Sequence, residues 1–281
     1  MNTDITVHVV SEKPDTVKTL DAIEEVFAEF DRIVKKFTRF NEDSELSNLN
    51  RSSGDWVVVS EEFFKLIKFM LKMNKDTQRV FDPTIIDFLE VYGYNKDYDF
   101  SKLENPSLDK MVMNIAKNRA SANEIELDDL KSSVKLVTGQ KIELGGCGKG
   151  YALDQSRDIL LKLGFKNFLI DGGGDLLANG FNDKGVLWEV GLYNFEKEQK
   201  VLKGMTKLDN EALASSGGWA RKVKQFHHLI NPTSGTPENK FTTVFVRAKD
   251  AIIADSLATT LFVGGEEAIK TYSDSVSFIT F

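Results

Sequence analysis

The sequence predicts an α+β fold in which a mixed or antiparallel sheet is flanked by helices. Three observations favour this class. Long segments carry apolar residues at helical spacing, short apolar runs between turn residues are typical of strands, and the two kinds of segment are interspersed without the strict strand–helix–strand order of a parallel sheet. No internal repeat or low-complexity linker divides the 281 residues. We therefore expect one domain over residues 1–281, with room for two lobes.

The first half of the chain predicts long helices between short strands. A strand at residues 5–10 precedes an amphipathic helix at 17–37, and a short helix ends at Leu49. A strand at 56–59 is followed by a helix at 61–77, for which Ser60 is the predicted N-terminal cap. The turn at 81–84 opens an apolar segment that ends at 91–94, and the polar residues 95–106 are predicted to form a surface insertion.

The second half predicts mostly strands around two helices. Strand candidates lie at residues 125–127, 134–137, 168–171, 186–190, 213–216, 243–247 and 276–281. A helix is predicted at 151–163, directly after a glycine-rich loop, and a second, very apolar helix at 251–261. This order supports the α+β class.

Composition excludes several classes of protein. The net charge of −7 argues against nucleic acid as the usual partner. No segment approaches the roughly 18 apolar residues of a membrane-spanning helix, and no basic segment followed by an apolar one marks a signal peptide. The single cysteine, Cys147, excludes an internal disulfide. We expect a cytoplasmic protein; an exported form whose leader has been removed is the alternative.

The segment I-E-L-G-G-C-G-K-G-Y-A-L-D, at residues 142–154, indicates a phosphate-binding loop. Glycines let backbone N–H groups approach a ligand closely, and a helix beginning at Tyr151 would add the positive end of its dipole. The segment is nevertheless not a Walker A loop, because Glu143 and Gly150 occupy positions that require glycine and a hydroxyl residue. It is not a dinucleotide fingerprint either, because Tyr151 replaces the last glycine.

Asp255 and Thr259 are candidate metal ligands. They stand four residues apart on the predicted apolar helix and so share one face. A carboxylate among alanine, isoleucine and leucine is costly unless it is paired or binds a cation, and these oxygens suit Mg²⁺ or Ca²⁺. The alternative is an exposed helix residue or a cap.

Other polar residues leave two interpretations open. His227 and His228 could include a general base, and strand geometry would let only one of them face a given site. Either could equally be a structural histidine. The same choice between ligand contact and ordinary structure applies to Arg221, to Asp171 and Asp175, to Tyr92 and Tyr94, and to Cys147, for which a buried apolar role is favoured.

The ordered motifs of the chain resemble the ApbE family, the FAD:protein FMN transferases. The resemblance covers almost the full length, and its motifs are M-N-T at residues 1–3, F-T-R-F-N-E-D-S-E-L-S-N-L-N at 37–50, F-D-P-T at 81–84, V-Y-G-Y at 91–94, the glycine-rich loop, I-D-G-G-G-D at 170–175, S-G-G-W-A-R at 216–221, H-H-L-I-N-P-T-S-G at 227–235 and A-D-S-L-A-T at 254–259. Several are weak individually, but their order is specific.

The resemblance implies a Mg²⁺-dependent enzyme that moves the FMN half of FAD to a threonine or serine hydroxyl of an acceptor flavoprotein and releases AMP. It assigns metal oxygens to Gly146, Asp255, Ala258 and Thr259, and the role of base to His228. It also implies that FAD lies against Met1, Phe40, Tyr92, Gly93, Tyr94, Glu143, Lys149 and Ile230.

Two departures from the family pattern affect these expectations. Trp219 replaces a more usual tyrosine and Asn231 a common aspartate. Two other functions stay open at this point: an FAD pyrophosphatase, in which water replaces the acceptor hydroxyl, and an FAD-binding protein without turnover.

Overall fold

The computed structural model describes residues 3–11, 16–197, 199–219 and 221–281. Its centre is a six-stranded sheet in the order β1-β5-β6-β9-β10-β11. The strands are β1 (Thr6–Val10), β5 (Asn167–Asp171), β6 (Leu176–Asn179), β9 (Ala212–Gly217), β10 (Thr243–Ala248) and β11 (Ser277–Thr280). Every neighbouring pair is antiparallel. The predicted α+β class is thus confirmed, with the sheet antiparallel rather than mixed.

Three helices pack in layers on this sheet. Helices α6 (Gly148–Lys162) and α7 (Ala251–Gly264) contact the strands and each other, and α1 (Thr16–Phe37) packs against α6. Helix α7 is apolar on nearly all sides and is buried along most of its length. Its first turn is held by Asp154 of α6, whose carboxylate accepts hydrogen bonds from the N–H groups of Ala251 and Ile252, both at 2.9 Å. A carboxylate at a helix N-terminus stabilises it, so Asp154 fixes where α7 begins.

Two further helices and a small sheet extend the same hydrophobic core. Helix α2 (Glu45–Arg51) and helix α3 (Glu61–Asp76) are each capped by a serine, Ser44 and Ser60, of which Ser60 was predicted. For α3 the Ser60 hydroxyl accepts a hydrogen bond from the Phe63 N–H at 3.2 Å. The small sheet consists of β2 (Trp56–Val58), β4 (Ser133–Lys135) and β3 (Glu126–Asp128), in that order. We call this body, which includes the central sheet, the main core.

A second core lies beside the main core. It is built around helix α4 (Ile86–Val91) and helix α5 (Leu108–Asn118), with Phe88, Tyr94 and Ile230 among its buried residues. The prediction that residues 95–106 form a surface insertion is wrong in part. Leu103 is buried in a short 3₁₀ helix at Ser101–Glu104, and Phe100 packs against this core.

A long hairpin forms the remaining layer. Strands β7 (Trp188–Glu196) and β8 (Gln199–Leu208) pair with each other, and one face of the hairpin packs on a third cluster that includes Val190, Leu192 and Phe245. The sequence analysis missed β8, β6 and α5. It also placed the start of α6 at Tyr151, three residues too late. Across the described ranges, no helix combines the length and apolar character needed to cross a membrane.

Candidate active site

A cavity of about 1240 Å³ opens between the main core and the second core. The hairpin β7–β8 contributes part of its wall through Val190, Gly191, Tyr193 and Lys200. Most of the site residues implied by the family resemblance line this cavity, namely Phe40, Tyr94, Glu143, Gly146, Lys149, His228, Ile230, Asp255 and Thr259. Segments separated by more than a hundred residues therefore meet around one space.

The last residues of the glycine-rich segment belong to helix α6, and the packing of α6 against α7 explains one of its glycines. The helix begins at Gly148, so Lys149 lies in its first turn. A side chain at Gly150 would clash with the carbonyl oxygen of Ala251, at the point where α6 meets α7. The bare backbone lets the Gly150 N–H donate to Asp255 Oδ2 at 3.0 Å. This glycine is thus required for the contact between the two helices.

Cys147, directly before the helix, has no exposed surface. Burial raises the pKa of its thiol well above the ordinary value, and the carboxylates of Asp255 and Glu143 add to this effect. A protonated, buried thiol is a poor nucleophile. The structure therefore supports the buried apolar role.

Lys149 is held by two buried carboxylates. Its ammonium contacts Asp175 Oδ2 closely and lies 3.6 Å from Asp255 Oδ1. Both carboxylates are almost fully buried, whereas 27% of the Lys149 side chain is exposed. Burial alone would lower the pKa of Lys149. The two carboxylates have the larger effect, so the pKa is raised. Burial raises the pKa of Asp175 to about 6, and Lys149 opposes this shift.

The surroundings of Asp255 fit a hard cation. Thr259 lies one turn further along α7, and its hydroxyl is 3.5 Å from the Ser216 hydroxyl of β9. Asp255, Thr259 and Gly146 all line the cavity and offer carboxylate, hydroxyl and backbone carbonyl oxygens, which are the donors that Mg²⁺ prefers. Within the described ranges no group of three or more histidine, cysteine, aspartate or glutamate side chains is arranged for a metal. The donor set suits Mg²⁺ and does not suit zinc.

Glu143 lies in the cavity wall opposite two arginines. Its Oε2 accepts a hydrogen bond from the Gly145 N–H at 2.9 Å, and its own N–H donates to the Pro83 carbonyl at 2.9 Å. Burial raises the pKa of the Glu143 carboxyl, while Arg39 and Arg221 act in the opposite direction. This carboxyl is therefore tied by its backbone to the turn at residues 81–84.

The adjacent residues His227 and His228 have different surroundings. His227 is 2% exposed, and its Nδ1 accepts a hydrogen bond from the Leu229 N–H at 3.2 Å. His228 lines the cavity, and its buried Nδ1 has no partner among the described residues. Burial, then Arg221, lowers the pKa of His228 to about 3. The expectation of strand geometry is wrong, since both residues lie outside the strands, but only His228 reaches the cavity.

Three of the implied site residues that the structure describes, Tyr92, Gly93 and Ala258, do not line the cavity. Tyr92 is 2% exposed, and its ring packs against Phe226 in the second core, with 5.3 Å between ring centroids. Gly93 has a positive φ of 91° and lies against Phe100. Ala258 is fully buried in α7. Met1 lies outside the described residues. The roles that the resemblance assigns to these residues, and to those that line the cavity, stay predictions.

The cavity also contains residues to which the sequence analysis gave no role. Arg39 donates to the Tyr94 carbonyl, and its guanidinium lies over the Phe40 ring at 4.4 Å. From the hairpin, Lys200 lies over the Tyr193 ring at 4.5 Å. Arg39 stands inside the F-T-R-F motif, which could have indicated it. Nothing in the sequence predicted the hairpin residues, because β8 itself was missed.

Comparison with known proteins places the chain in a class. The sequence profile of the ApbE family matches residues 1–278. Two curated relatives are named FAD:protein FMN transferase: that of Haemophilus influenzae is 25% identical over 87% of this chain and 72% of the relative, and that of Vibrio cholerae 26% identical over 85% and 73%.

Solved structures agree with this result. The crystal structure of the ApbE protein from Thermotoga maritima has a TM-score of 0.87 and 29% identity, covering 99% of this chain and 90% of that one. The flavin transferase ApbE from Vibrio cholerae shares the fold with a TM-score of 0.84 at 21% identity, covering 100% and 90%. The fold and the cavity thus define a protein of the flavin transferase type. The chain belongs to the ApbE family.

Proposed function

We propose that the protein transfers the FMN half of FAD to a threonine or serine hydroxyl of an acceptor flavoprotein and releases AMP, in a Mg²⁺-dependent reaction. That the chain is a transferase follows from its family and from the shared name of its curated relatives. The hydroxyl oxygen of the acceptor forms a bond to the phosphorus of the FMN half, and the bond from that phosphorus to the bridging oxygen of the pyrophosphate breaks. AMP leaves with the bridging oxygen.

His228 is the base that we assign to the acceptor hydroxyl. Its ring is neutral because of its lowered pKa, the residue lines the cavity, and its buried Nδ1 has no hydrogen-bond partner among the described residues. A pKa of about 3 is low for this task, since a base works best with a pKa near the working pH. The negative charge of a bound pyrophosphate would offset the repulsion from Arg221 and raise the pKa of His228. Substrate binding would therefore prepare the base.

Asp255, Thr259 and the Gly146 carbonyl are the residues that would hold the cation. When bound, Mg²⁺ neutralises the charge that grows on the phosphate oxygens. Lys149 is fixed beside this position by Asp175 and Asp255. Its ammonium therefore adds positive charge near the phosphates without the freedom to move far. Placement and charge are what phosphoryl transfer chiefly requires of a protein.

The observation that carries this proposal is the meeting of a hard-oxygen site and an unpartnered histidine at one cavity. Asp255 and Thr259 come from the main core, and His228 comes from the loop at the second core. A protein that only stored FAD would need neither a cation site nor a free ring nitrogen. The arrangement therefore supports turnover.

The test is an acceptor assay. The protein is incubated with FAD, Mg²⁺ and an acceptor flavoprotein domain, and intact mass and nucleotide release are measured. We expect an added FMN mass on the acceptor and one AMP per adduct. The matched control replaces the target hydroxyl of the acceptor by alanine.

Other outcomes identify other functions. FMN and AMP formed at a rate that the acceptor does not change would indicate an FAD pyrophosphatase. Bound FAD that stays intact with Mg²⁺ would indicate a binding protein, and either result would contradict the proposal. The cytoplasmic location and the single domain over 1–281 stay predictions, which cell fractionation and limited proteolysis would test.

A further inference from the structure

Two motifs of the chain have polar side chains that the proposed chemistry does not use. They are F-D-P-T at residues 81–84 and N-P-T-S-G at residues 231–235. Asp82 lines the cavity, yet only 5% of its side chain is exposed. A carboxylate so buried needs a partner. That partner is Arg119, whose Nη2 lies 2.7 Å from Asp82 Oδ2.

Arg119 joins both motifs. Its Nη1 donates to the Thr84 hydroxyl at 2.9 Å, and its Nη2 also donates to the Pro232 carbonyl at 3.0 Å. The guanidinium stands 5.3 Å from the centre of the Phe88 ring, which faces the second core. Arg119 follows directly after helix α5, so the helix end fixes its backbone. One planar group thus contacts two separate loops.

Each loop carries part of the proposed site. The turn at residues 81–84 supports the Glu143 wall, because the Pro83 carbonyl accepts from the Glu143 N–H and the Phe81 ring lies against Gly146. The loop that contains Pro232 begins three residues after His228. Among hydrogen bonds between described residues, the bond from Arg119 to Pro232 is the one that connects this loop with the turn. Arg119 therefore spans the two walls of the cavity.

The loop is stiff enough to transmit this contact. The Gly235 N–H donates to the Asn231 carbonyl at 2.8 Å, and the Asn231 Oδ1 accepts from the Thr233 N–H at 2.9 Å. The Glu238 N–H, just beyond this loop, donates to the carbonyl of Leu229 at 3.1 Å, so an anchor at Pro232 also affects the neighbouring His228. Small displacements matter here, since a 1 Å misplacement can cost about a hundredfold in rate.

We propose that Arg119 is a positioning residue that holds the His228 loop in place against the Glu143–Gly146 wall, with Asp82 as its anchor. Lysine cannot replace it, because three acceptors in different directions require the planar fork of a guanidinium. The part of this proposal that concerns turnover rests on the proposed function. The part that concerns the loop does not.

The experiment compares Arg119→Met, Arg119→Lys, Asp82→Asn and the double variant Arg119→Met/Asp82→Asn. Lys117→Met is the matched control, because Lys117 is an exposed cation two residues earlier, in the last turn of α5. Transfer kinetics at a temperature well below unfolding give kcat and KM for FAD. We expect kcat to fall about tenfold to a hundredfold in Arg119→Met and in Arg119→Lys, with KM changed less than threefold. The control should match the unaltered protein.

A second readout is independent of turnover. Carbethoxylation of His228, mapped by mass spectrometry, reports how freely its loop opens. We expect its rate to rise at least fivefold in Arg119→Met and in Asp82→Asn, and no further in the double variant, because the two residues act as one unit. An unchanged rate in both single variants would overturn the proposal. If the rise in the double variant equals the product of the rises in the two single variants, the proposal is overturned as well.

The two proposals fail in distinguishable ways. If the unaltered protein transfers no FMN, the proposed function is wrong, and the carbethoxylation series alone decides whether Arg119 positions the loop. If transfer occurs and Arg119→Met lowers the melting temperature but leaves kcat intact, Arg119 only stabilises the fold and this inference is wrong. Arg119→Lys and Asp82→Asn keep the test available if Arg119→Met does not fold.

Discussion

The two walls of the cavity differ in how they handle charge. The wall from the main core buries three ionised groups, Lys149, Asp175 and Asp255, which compensate one another. The wall from the second core places a neutral histidine beside Tyr94, with 6.2 Å between the ring centroids. Under the proposed function, one wall would contact the phosphates and the cation, and the other would accept the proton.

The same difference appears in how the walls are supported. Lys149 and Asp255 of the charged wall lie on helices α6 and α7, which are fixed to each other by the Gly150 and Asp154 contacts, and Asp175 stands directly before β6. His228 lies on a loop, where position depends on a few side-chain contacts. We therefore expect substitutions in the first wall to change cation-dependent turnover and stability, and substitutions in the second to change turnover with little change in FAD binding.

The largest expected effect is at Asp255. Asp255→Asn removes the carboxylate from the cation site, so Mg²⁺-dependent transfer should fall by about 10⁴-fold or more, in line with the several kcal/mol that a metal contributes to such transition states. A Mg²⁺ titration of the transfer rate checks this. The control is Asp250→Asn, at the partly exposed start of the same helix. A transfer rate that depends on Mg²⁺ in the same way in the variant and in the unaltered protein would show that Asp255 does not hold the cation.

Loss of the base should have the next largest effect. His228→Ala is expected to lower kcat by about 10³-fold, within the range for a general base, while FAD affinity changes only a few-fold. Kinetics and FAD fluorescence titration separate the two quantities. His8→Ala, an exposed histidine on β1, serves as control. Equal losses in FAD binding and in turnover would show that His228 is a structural residue. The second wall would then supply no base.

The buried ion pair should appear as a change in stability. Lys149→Met leaves Asp175 without its partner, and we expect a loss of about 1–3 kcal/mol in the free energy of unfolding, less than for a fully buried pair because Lys149 is partly exposed. The double variant Lys149→Met/Asp175→Asn should regain part of that loss. Urea unfolding measures both. A double variant less stable than Lys149→Met would show that the two charges do not compensate each other.

The smallest effect at neutral pH is that of His228 on the free energy of unfolding, and this effect grows as the pH falls. The pKa of His228 is lowered from 6.5 to about 3, so between these values the unfolded chain binds a proton that the folded protein does not. Stability should therefore fall as the pH falls through this window. Asp175, with a pKa raised from 3.8 to about 6, acts in the opposite direction.

Comparison with His228→Gln isolates the histidine contribution from that of Asp175. The free energy of unfolding, measured at several pH values, should decline less towards acid in the variant. Parallel curves for the two proteins would mean that His228 is protonated normally in the folded state.

Patterns within single segments predicted much of this structure. The apolar stripes of α1 and α3, the Ser60 cap and the buried helix around Asp255 depend on local spacing, which sequence alone contains. Helix α6 was placed too late because glycine is a poor helix former, whereas contact with α7 makes glycine necessary at Gly150. The partner of Asp82 is 37 residues away, directly after a helix that the sequence did not predict, so no local pattern could reveal it.

The candidate site shows the same limit. The residue types at Asp255, Thr259 and His228 pointed to a cation and a base, and the family resemblance supplied their grouping. The attachment of Lys149 to Asp175, and the lack of a partner for His228 Nδ1, depend on distances between segments far apart in the chain. Those distances follow from tertiary packing, which propensities do not encode.

The burial of Cys147 has a practical consequence. Because the chain's sole thiol is enclosed and stays protonated, a maleimide or spin-label reagent should leave the native protein unmodified. A cysteine introduced on the exposed hairpin or on the loop at residues 231–235 would then be the single labelled position. Distances between such a probe and a labelled acceptor could be measured without first removing any natural cysteine, so the route by which an acceptor approaches the cavity can be mapped on the otherwise unaltered chain.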